Sequence, residues 1–310
     1  MTREQPVRVE PWPALPLDEW RSTKATLHRF CQMAGKVRLA LAPFRNHWWH
    51  VTLHVTVDGL TTGPLPVGDG RHVEVRLDFS DHAVRLTDSL GAQQRFELRQ
   101  PFACGDFHDE LIAALSALGI SADVDMHPYD LAGPHFSKDY THDTYDASAV
   151  SRYAQTLRSS STVLEEFAGR FNGKQSPVHL FWHSFDLAYA RFSGRRAPVR
   201  DGAGRVEREA YSHEVIAFGW WPGDDEVPYP AYYSYTAPAP PGLTDQPLTH
   251  PAAFWNTASG TAILPYEEVR TAQDPRATLL AFLEDTYLAG ARMADWDIAA
   301  FATVAATGSR

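Results

Sequence analysis

Apolar residues recur along this chain at two different spacings, and each spacing predicts one kind of secondary structure. Where they recur every three or four positions they fall on one face of a helix. This spacing predicts helices over 18–34, 106–119, 146–171 and 274–289, and a last helix that contains Trp296 and Phe301. Gly35 follows the last apolar position of the first segment, where it is expected to end the helix.

Elsewhere apolar and polar residues alternate, which places successive side chains on opposite faces of a strand. This alternation predicts strands at 37–42, 47–57, 73–79, 82–86, 95–98, 178–192, 210–221, 229–236 and 261–264. Runs of strands with few helical crossovers are typical of antiparallel sheets. The predicted fold class is therefore α+β, and the sequence contains no glycine-rich phosphate loop or dinucleotide fingerprint.

The segment 35–66 has a counterpart in the segment 173–198. With His47 aligned to His179, the two segments run to their ends without a gap, and aromatic positions fall opposite aromatic positions. Each segment follows a predicted helix and precedes further strands and another helix. Internal similarity of this kind indicates a duplicated module.

We therefore predict two pseudo-repeats, each built from a helix, antiparallel strands and a helix. The first repeat is expected over 1–125 and the second over 146–310, with a connecting segment at 126–145. The two repeats are expected to form one compact unit whose sheets face each other around a shared cavity.

The composition and net charge argue against some classes of binding partner. The chain has 310 residues and a formal net charge of −10, whereas nucleic-acid binding needs clustered Lys and Arg. We expect no nucleic-acid partner. The N-terminal residues lack the apolar run of a signal peptide, and no apolar stretch has the length of a membrane span. A cytoplasmic protein without membrane association is predicted, and the sequence leaves its oligomeric state open.

Two features of the composition bear on chemistry. The chain has 14 histidines, and it is rich in aromatic residues, with 9 Trp, 12 Tyr and 16 Phe. Histidine titrates near neutral pH and is the commonest metal ligand. The two cysteines, Cys31 and Cys104, form neither a disulfide framework nor a cysteine metal motif.

The two aligned strands each present a polar face. The first face carries Trp48, His50, Thr52 and His54, and the second carries Leu180, Trp182, Ser184 and Asp186. If these faces meet across the cavity, His50, Thr52, Trp182, Ser184 and Asp186 come together there. The alternative is a solvent-exposed sheet face, which is commonly polar in antiparallel sheets.

We predict that His50 and Asp186 perform acid–base chemistry, assisted by His213 or Glu214, because a buried imidazole near a carboxylate is a typical general base. Ser184, His50 and Asp186 also have the residue types of a hydroxyl–imidazole–carboxylate set. However, Ser184 and Asp186 would be about 7 Å apart on one strand.

A second group of residues is predicted to bind the substrate. Tyr233 and Tyr235 share one strand face and could stack on a flat ligand, although such residues are often core residues. Arg191 could contact an anion. The predicted substrate-binding residues are Trp48, Thr52, His54, Trp182, Ser184, Arg191, Tyr233 and Tyr235.

No organic cofactor is predicted, and a divalent metal stays possible. His50 and His54 would lie about 13 Å apart on one strand, so they cannot bind the same ion. A metal site would have to combine strands, for instance through His50, Asp186 and His213, with ligands about 2.0–2.2 Å from the ion.

Several segments together resemble one known family. They are WPALPLDEW, NHWWHVTLHVT, GLTTGPLP, SPVHLFWHSFDLAYARFSGR, EAYSHEV, GWWPGD and LPYEEVRTA. In this order they resemble the bacterial domain-of-unknown-function-5996 family over nearly the whole chain. The resemblance implies no activity. His50, Thr52, Trp182, Ser184, Asp186, His213 and Glu214 match its pattern, whereas His54 stands where Tyr is usual and His183 where Gly is usual.

Three hypotheses on function stay open. The first is an enzyme that acts on a small organic molecule by His/Asp acid–base chemistry in an aromatic-lined cavity. The second is a metal-dependent enzyme that uses the same histidines. The third is a non-catalytic protein that binds or senses a small molecule.

Overall fold

Two antiparallel sheets and seven helices make up the part of the chain that the computed structural model describes, residues 10–303. The helices are α1 (Leu17–Leu41), α2 (Cys104–Ala117), α3 (Ala147–Ala168), α4 (Arg205–Ala210), α5 (Tyr266–Arg270), α6 (Pro275–Met293) and α7 (Ile298–Phe301). Asp146 and Asp274 cap α3 and α6 by accepting backbone N–H bonds in the first turn, as aspartate commonly does.

The first sheet comprises β1 (His54–Val55), β2 (Gly59–Thr61), β3 (Leu65–Gly68), β4 (Arg71–Asp78), β5 (Ala83–Asp88) and β6 (Gln93–Glu97). Its order is β1-β2-β4-β5-β6, with β3 also paired to β4.

The second sheet comprises β7 (His179–Phe181), β8 (Asp186–Arg196), β9 (His213–Trp221), β10 (Ala231–Ala237), β11 (Phe254–Asn256) and β12 (Thr261–Pro265). Its order is β11-β12-β10-β9-β8-β7. The strand pairs of both sheets are antiparallel. The predicted α+β class is confirmed.

The two sheets come together at their first strands. Leu53, just before β1, and Leu180 in β7 exchange two backbone hydrogen bonds of 2.9 and 2.8 Å. At this point the sheets meet edge to edge, whereas the sequence predicted opposed faces. One cluster of buried apolar side chains extends from Leu15 to Trp296 and draws on both predicted repeats. The duplication and the predicted division into repeats stay predictions.

The predicted end of the first helix at Gly35 is wrong, and so is the strand at 37–42. Helix α1 continues to Leu41, because Val37 extends the buried helical face. Gly35 has a packing role instead. A Cβ built on it would lie 2.1 Å from the indole ring of Trp182, so only glycine allows this ring to lie against the helix.

The two long strands of the alignment are also interrupted. Residues 46–48 form a 3₁₀ turn, with His47 and Trp48 in the left-handed region at φ 55° and 60°, and only residues 54–55 of the predicted 47–57 strand pair in a sheet. A turn at 182–185, with Phe185 at φ 60°, separates β7 from β8. Strand alternation does not pass through these turns, so the two predicted polar faces do not exist as such.

Strands β8, β9 and β10 have two contrasting faces. Toward α3 and α6 they present bulky buried side chains: Leu187, Tyr189, Arg191, Ile216, Phe218, Trp220 and Tyr232. The opposite face, which we call the cavity face, carries Asp186, Ala188, Ala190, Val215, Ala217, Gly219, Tyr233 and Tyr235. The cavity face is the foundation of the candidate site.

Candidate functional site

A cavity of about 1280 Å³ lies over the cavity face. Its walls come from the end of α1, from residues 47–51, from the loop around Tyr129, from the 182–185 turn and from α4. The aromatic side chains that line it include Trp48, Trp49, Tyr129, Phe181, Trp182, Tyr211, Trp221, Tyr233 and Tyr235. Its volume somewhat exceeds the range of about 300–1,000 Å³ that is usual for small-molecule pockets.

Small residues make the floor of the cavity. The register places Ala188 opposite Gly219, and Ala190 opposite Ala217. The Tyr233 ring lies over Gly219, where a Cβ would come within 2.4 Å of the Tyr233 hydroxyl. Gly219 therefore makes room for the Tyr233 ring. At Ala188, Ala190 and Ala217, which line the cavity, bulky side chains would fill the space, so the short side chains leave it open.

Asp186, at the start of β8, is the carboxylate of the cavity face. It is 9% exposed, and its two oxygens accept hydrogen bonds from the hydroxyl groups of Ser184 and Tyr233. Ser184 reaches Asp186 because the 182–185 turn folds back, which contradicts the predicted separation of about 7 Å along one strand. Burial, followed by the negative charge of Asp186, raises the pKa of Tyr233 well above its usual value.

Two stacked tyrosines extend from this carboxylate. The Tyr233 and Tyr235 rings are 6.1 Å apart and nearly parallel, and the Tyr235 hydroxyl lies 3.1 Å from that of Tyr211. Trp221 packs edge-on against Tyr233 at 5.8 Å. These rings present both flat apolar surface and hydroxyl groups to a ligand.

Trp182 forms the wall next to α1. Its indole N–H donates to the Val51 carbonyl at 2.7 Å, and its ring lies against Gly35. The Lys36 ammonium lies 5.6 Å from the ring centroid. His28 of α1 contacts the carbonyl oxygens of Trp182 and His183 through Nε2, at 2.9 and 3.0 Å. These contacts fix the turn that carries Ser184.

His183 lines the same cavity as Asp186. Burial lowers its pKa, against the opposing effect of the Asp186 and Asp130 carboxylates. A lowered pKa favours the neutral imidazole at neutral pH, which is the form that accepts a proton.

A basic cluster lies at the rim. The Lys174 Nζ donates to His47 Nε2 at 2.7 Å, and His47 Nδ1 lies 3.1 Å from the Ala210 carbonyl oxygen. The pKa of His47 is lowered, first by burial and then by Lys174. The ring of His213 lies 5.5 Å from that of His47. His47 lines the cavity.

Helix α4 closes this rim. The Trp48 indole N–H donates to the Val206 carbonyl at 3.0 Å, and the His47 backbone N–H donates to the Glu209 carboxylate at 3.0 Å. The helices predicted from the sequence do not include 205–210. The six-residue length of α4 leaves too few positions for a helical period to show.

Of the predicted site residues, the structure brings five others to the cavity with Asp186: Trp48, Trp182, Ser184, Tyr233 and Tyr235. Strand alternation in β10 accounts for the two tyrosines, which share a face as predicted. The assignment of catalytic and substrate-binding roles to these residues stays a prediction.

His50 does not line the cavity. Its ring is buried between Phe44 and Trp48, at 4.9 and 5.4 Å, and its Nδ1 has no hydrogen-bond partner among residues 10–303. Its pKa is lowered mainly by burial. Because the 3₁₀ turn redirects the chain before His50, the predicted pairing of His50 with Asp186 is not formed.

Thr52 and His54 lie at the joint between the sheets. The Thr52 hydroxyl is 3.2 Å from Nδ1 of the fully buried His179, and the pKa of His179 is lowered to about 3, mainly by burial. Burial, with help from Arg38 and Arg45, lowers the pKa of His54 to about 4. His179 lines the cavity, whereas Thr52 and His54 do not.

Glu214 and Arg191 have structural partners away from the cavity. Glu214 accepts hydrogen bonds from Ser193 at 2.9 Å and Arg195 at 2.8 Å. The Arg191 guanidinium is 1% exposed and lies over the rings of Phe167 and Tyr287, at 3.5 and 4.4 Å from their centroids. Strand alternation sends both side chains to the face opposite the cavity, where Arg191 cannot meet a ligand.

The sequence analysis gave no role to several residues that line the cavity: His47, Trp49, Tyr129, His183 and Tyr211. Four of them lie in quoted motifs, which was a usable signal: His47, Trp49, His183 and Tyr211. Tyr129 lies outside the quoted motifs, and its approach to the cavity depends on tertiary packing alone.

The suggested metal ligands are not assembled. Among the residues that the structure describes, no group of three or more His, Cys, Asp or Glu side chains is arranged to hold a metal ion. Asp186 lines the cavity, while His50 and His213 do not.

Among residues 10–303, no helix is both long enough and apolar enough to span a membrane.

Comparisons with known proteins give a family without a known activity. Neither the curated proteins nor the solved structures contain a match to the chain. A family model described as a family of unknown function, DUF5996, matches residues 12–303. The resemblance seen in the motifs is thereby confirmed, and the chain belongs to the DUF5996 family of unknown function.

Proposed function

We propose that this protein binds a small organic molecule in the cavity over β8, β9 and β10. The observation that carries the proposal is the construction of the cavity face, in which a floor of Ala188, Ala190 and Ala217 leaves about 1280 Å³ of space beside stacked Tyr233 and Tyr235. Concave sites with aromatic walls and a few fixed polar groups are typical of ligand pockets. Asp186 and its two hydroxyl partners supply the fixed polar group.

The test is a ligand screen with a variant that fills the cavity. Aromatic fragments are screened against the wild type by ligand-observed NMR, and hits are re-measured with Ala217→Leu. We expect at least a tenfold loss of affinity, because the larger side chain enters the open floor. The matched control is Ala113→Leu, the same change at an exposed position of α2.

The two variants separate the possible outcomes. Hits that lose affinity with Ala217→Leu and keep it with Ala113→Leu support the proposal. An absence of hits, or hits that bind both variants as they bind the wild type, would overturn it. Thermal unfolding of both variants shows that the comparison is made on folded protein.

An acid–base enzyme is the second candidate, favoured by one observation. His183 opens into the cavity with Asp186, and burial lowers its pKa so that the neutral imidazole predominates at neutral pH. A neutral imidazole beside a carboxylate can take a proton from a bound substrate. His183 here takes the role that the sequence analysis gave to His50.

Turnover measurements distinguish an enzyme from a binder. Each ligand found in the screen is incubated with wild type, His183→Gln and Asp186→Asn, and the products are sought by mass spectrometry. Loss of turnover with retained binding in His183→Gln indicates an enzyme. Its activity should then fall as the pH is lowered through the pKa of His183, below about 6.5. Ligands that bind and are recovered unchanged indicate a binder.

A further inference from the structure

Asp186 lacks a cationic partner. No Lys, Arg or His nitrogen among residues 10–303 lies within 4.0 Å of its carboxylate. Its hydrogen-bond donors are the neutral hydroxyl groups of Ser184 and Tyr233. An ionised carboxylate can accept about four hydrogen bonds, so capacity is left for a ligand. A charge removed from water without a partner is costly.

Acidic side chains outnumber Lys and Arg side chains in the lining of the cavity. Asp123, Asp125 and Asp224 also line the cavity. Aromatic faces attract cations through the negative potential above the ring. Trp221 and Tyr233 meet next to the carboxylate, 5.8 Å between centroids.

Two cationic side chains of the protein already lie against aromatic rings of the cavity wall. The Lys36 ammonium lies 5.6 Å from the Trp182 ring, and the Arg205 guanidinium lies 5.9 Å from the Trp48 ring. Both residues line the cavity at its edge. They show that rings of this cavity accept cationic groups, while Asp186 stays free of them.

We infer that the cavity selects a small organic cation, an amine carried on an apolar or aromatic skeleton, whose ammonium group pairs with Asp186. The skeleton packs against the Tyr233 and Tyr235 rings above the Ala217 floor. The two hydroxyl donors orient the carboxylate before the ligand arrives, so the charge pair forms without reordering the protein. The inference rests on the proposed function and adds the chemical class of the ligand.

Three probes that share one skeleton test the charge preference: 2-phenylethylamine, 2-phenylethanol and 3-phenylpropanoate. Their affinities are measured by isothermal titration calorimetry, with ligand-observed NMR for weak binding. The wild type is expected to bind the amine at least tenfold more tightly than the alcohol, and the carboxylate least of all. In Asp186→Asn the difference between amine and alcohol should fall below threefold, while the affinity for the alcohol stays within threefold of wild type.

Tyr233→Phe is the matched variant that keeps the charge and removes one donor. It should retain the tenfold preference for the amine, which Asp186→Asn loses. If Asp186→Asn does not fold, the preference for amine over alcohol in wild type and Tyr233→Phe still decides whether the cavity selects a cation.

The outcomes also separate this inference from the proposed function. If the alcohol or the carboxylate binds as tightly as the amine, and Ala217→Leu abolishes that binding, the cation preference is overturned and the proposed function stands. If no probe and no screened fragment binds, both are overturned. A preference for the amine that persists unchanged in Asp186→Asn overturns the assignment of Asp186.

Discussion

The second sheet has two faces made by alternate residues of the same strands, and their chemistry differs. Toward α3 and α6, β9 presents Ile216, Phe218 and Trp220, each fully buried. On the opposite face it presents Ala217, which lines the cavity, and Gly219, which makes room for the Tyr233 ring. The helix-facing side is closed by packing, and the cavity face is held open by short side chains. The comparison teaches that the sheet supplies stability on one side and leaves the other side available for a ligand.

Buried charge follows the same division. On the helix-facing side, the Arg191 guanidinium is surrounded by aromatic rings and internal acceptors such as the Tyr189 hydroxyl, at 3.2 Å. On the cavity face, the side-chain donors to the Asp186 carboxylate among residues 10–303 are the hydroxyl groups of Ser184 and Tyr233. The first charge is satisfied within the fold, whereas the second retains capacity for a partner from outside.

The largest expected contrast comes from truncating one aromatic side chain on each face. Phe218→Ala should lower the free energy of unfolding by about 3–5 kcal/mol, because a packed ring leaves a cavity in the core. Tyr235→Ala should lower it by about 1–2 kcal/mol, because its half-buried ring already borders open space. Urea unfolding measures both. Equal losses would show that the two faces are packed alike and would break the comparison.

Substitutions of Arg191 test whether a residue of the helix-facing side has any part in ligand binding. Arg191→Ala should lower the free energy of unfolding by about 2–4 kcal/mol through lost packing. Arg191→Met should cost less, because a buried charge is replaced by an apolar side chain of similar length. Folded samples of both variants should bind cavity ligands with unchanged affinity. A specific loss of binding in Arg191→Met would restore the substrate-binding role predicted from the sequence.

Gly35→Ala tests the wall that separates the cavity from α1. The added Cβ would lie 2.1 Å from the rigid Trp182 ring, so the ring must move. Overpacking should lower the free energy of unfolding by about 1–3 kcal/mol. This loss should outweigh the gain of about 1 kcal/mol from the higher helix propensity of alanine. Ser22→Ala, at an exposed position of the same helix, is the control and should be neutral. Unaltered Trp fluorescence and stability in Gly35→Ala would contradict the close approach.

Lowering the pH should destabilise the cavity side of the second sheet before its helix-facing side. His28 and His179 both touch that side, and burial lowers the pKa of each to about 3. Both are neutral when folded, so the unfolded chain binds more protons below about pH 6.5. Their contribution to stability is present above pH 6.5 and is lost as the pH falls toward 3, at up to about 1.4 kcal/mol per pH unit for each.

Hydrogen exchange at pH 7 and pH 4.5 measures the acid effect region by region. Exchange should increase first around β7 and the 182–185 turn, and later in β9. A His28→Gln variant should show a flatter dependence of unfolding free energy on pH. A uniform increase over both faces, or a pH dependence unchanged in the variant, would contradict this assignment.

Long periodic segments made much of the fold predictable. Helices α3 and α6, with their Asp146 and Asp274 caps, follow from local spacing and capping. The strands from β4 to β6 and from β9 to β10 follow from alternation. Local propensity agrees with tertiary packing in these segments, so the prediction needs no knowledge of distant contacts.

The candidate site was predictable only where alternation continued unbroken. Tyr233 and Tyr235 share the cavity face because β10 is a regular strand. His50 was misplaced because the left-handed residues His47 and Trp48 turn the chain just before it. The pattern of apolar residues carries no signal for such a turn when neither residue is glycine or asparagine.

The sequence by itself determined the α+β class, the helix caps, the family and the alternating faces of the regular strands, because each of these depends on residues close together in the chain. Only the tertiary structure decided that Gly35 receives the Trp182 ring, that Ser184 turns back to Asp186, and that Arg191 is buried among aromatic rings. These contacts join positions brought together by packing, and packing depends on the shapes of side chains far apart in the sequence. The open space over Ala217 has the same origin, since a cavity is a property of all its walls together.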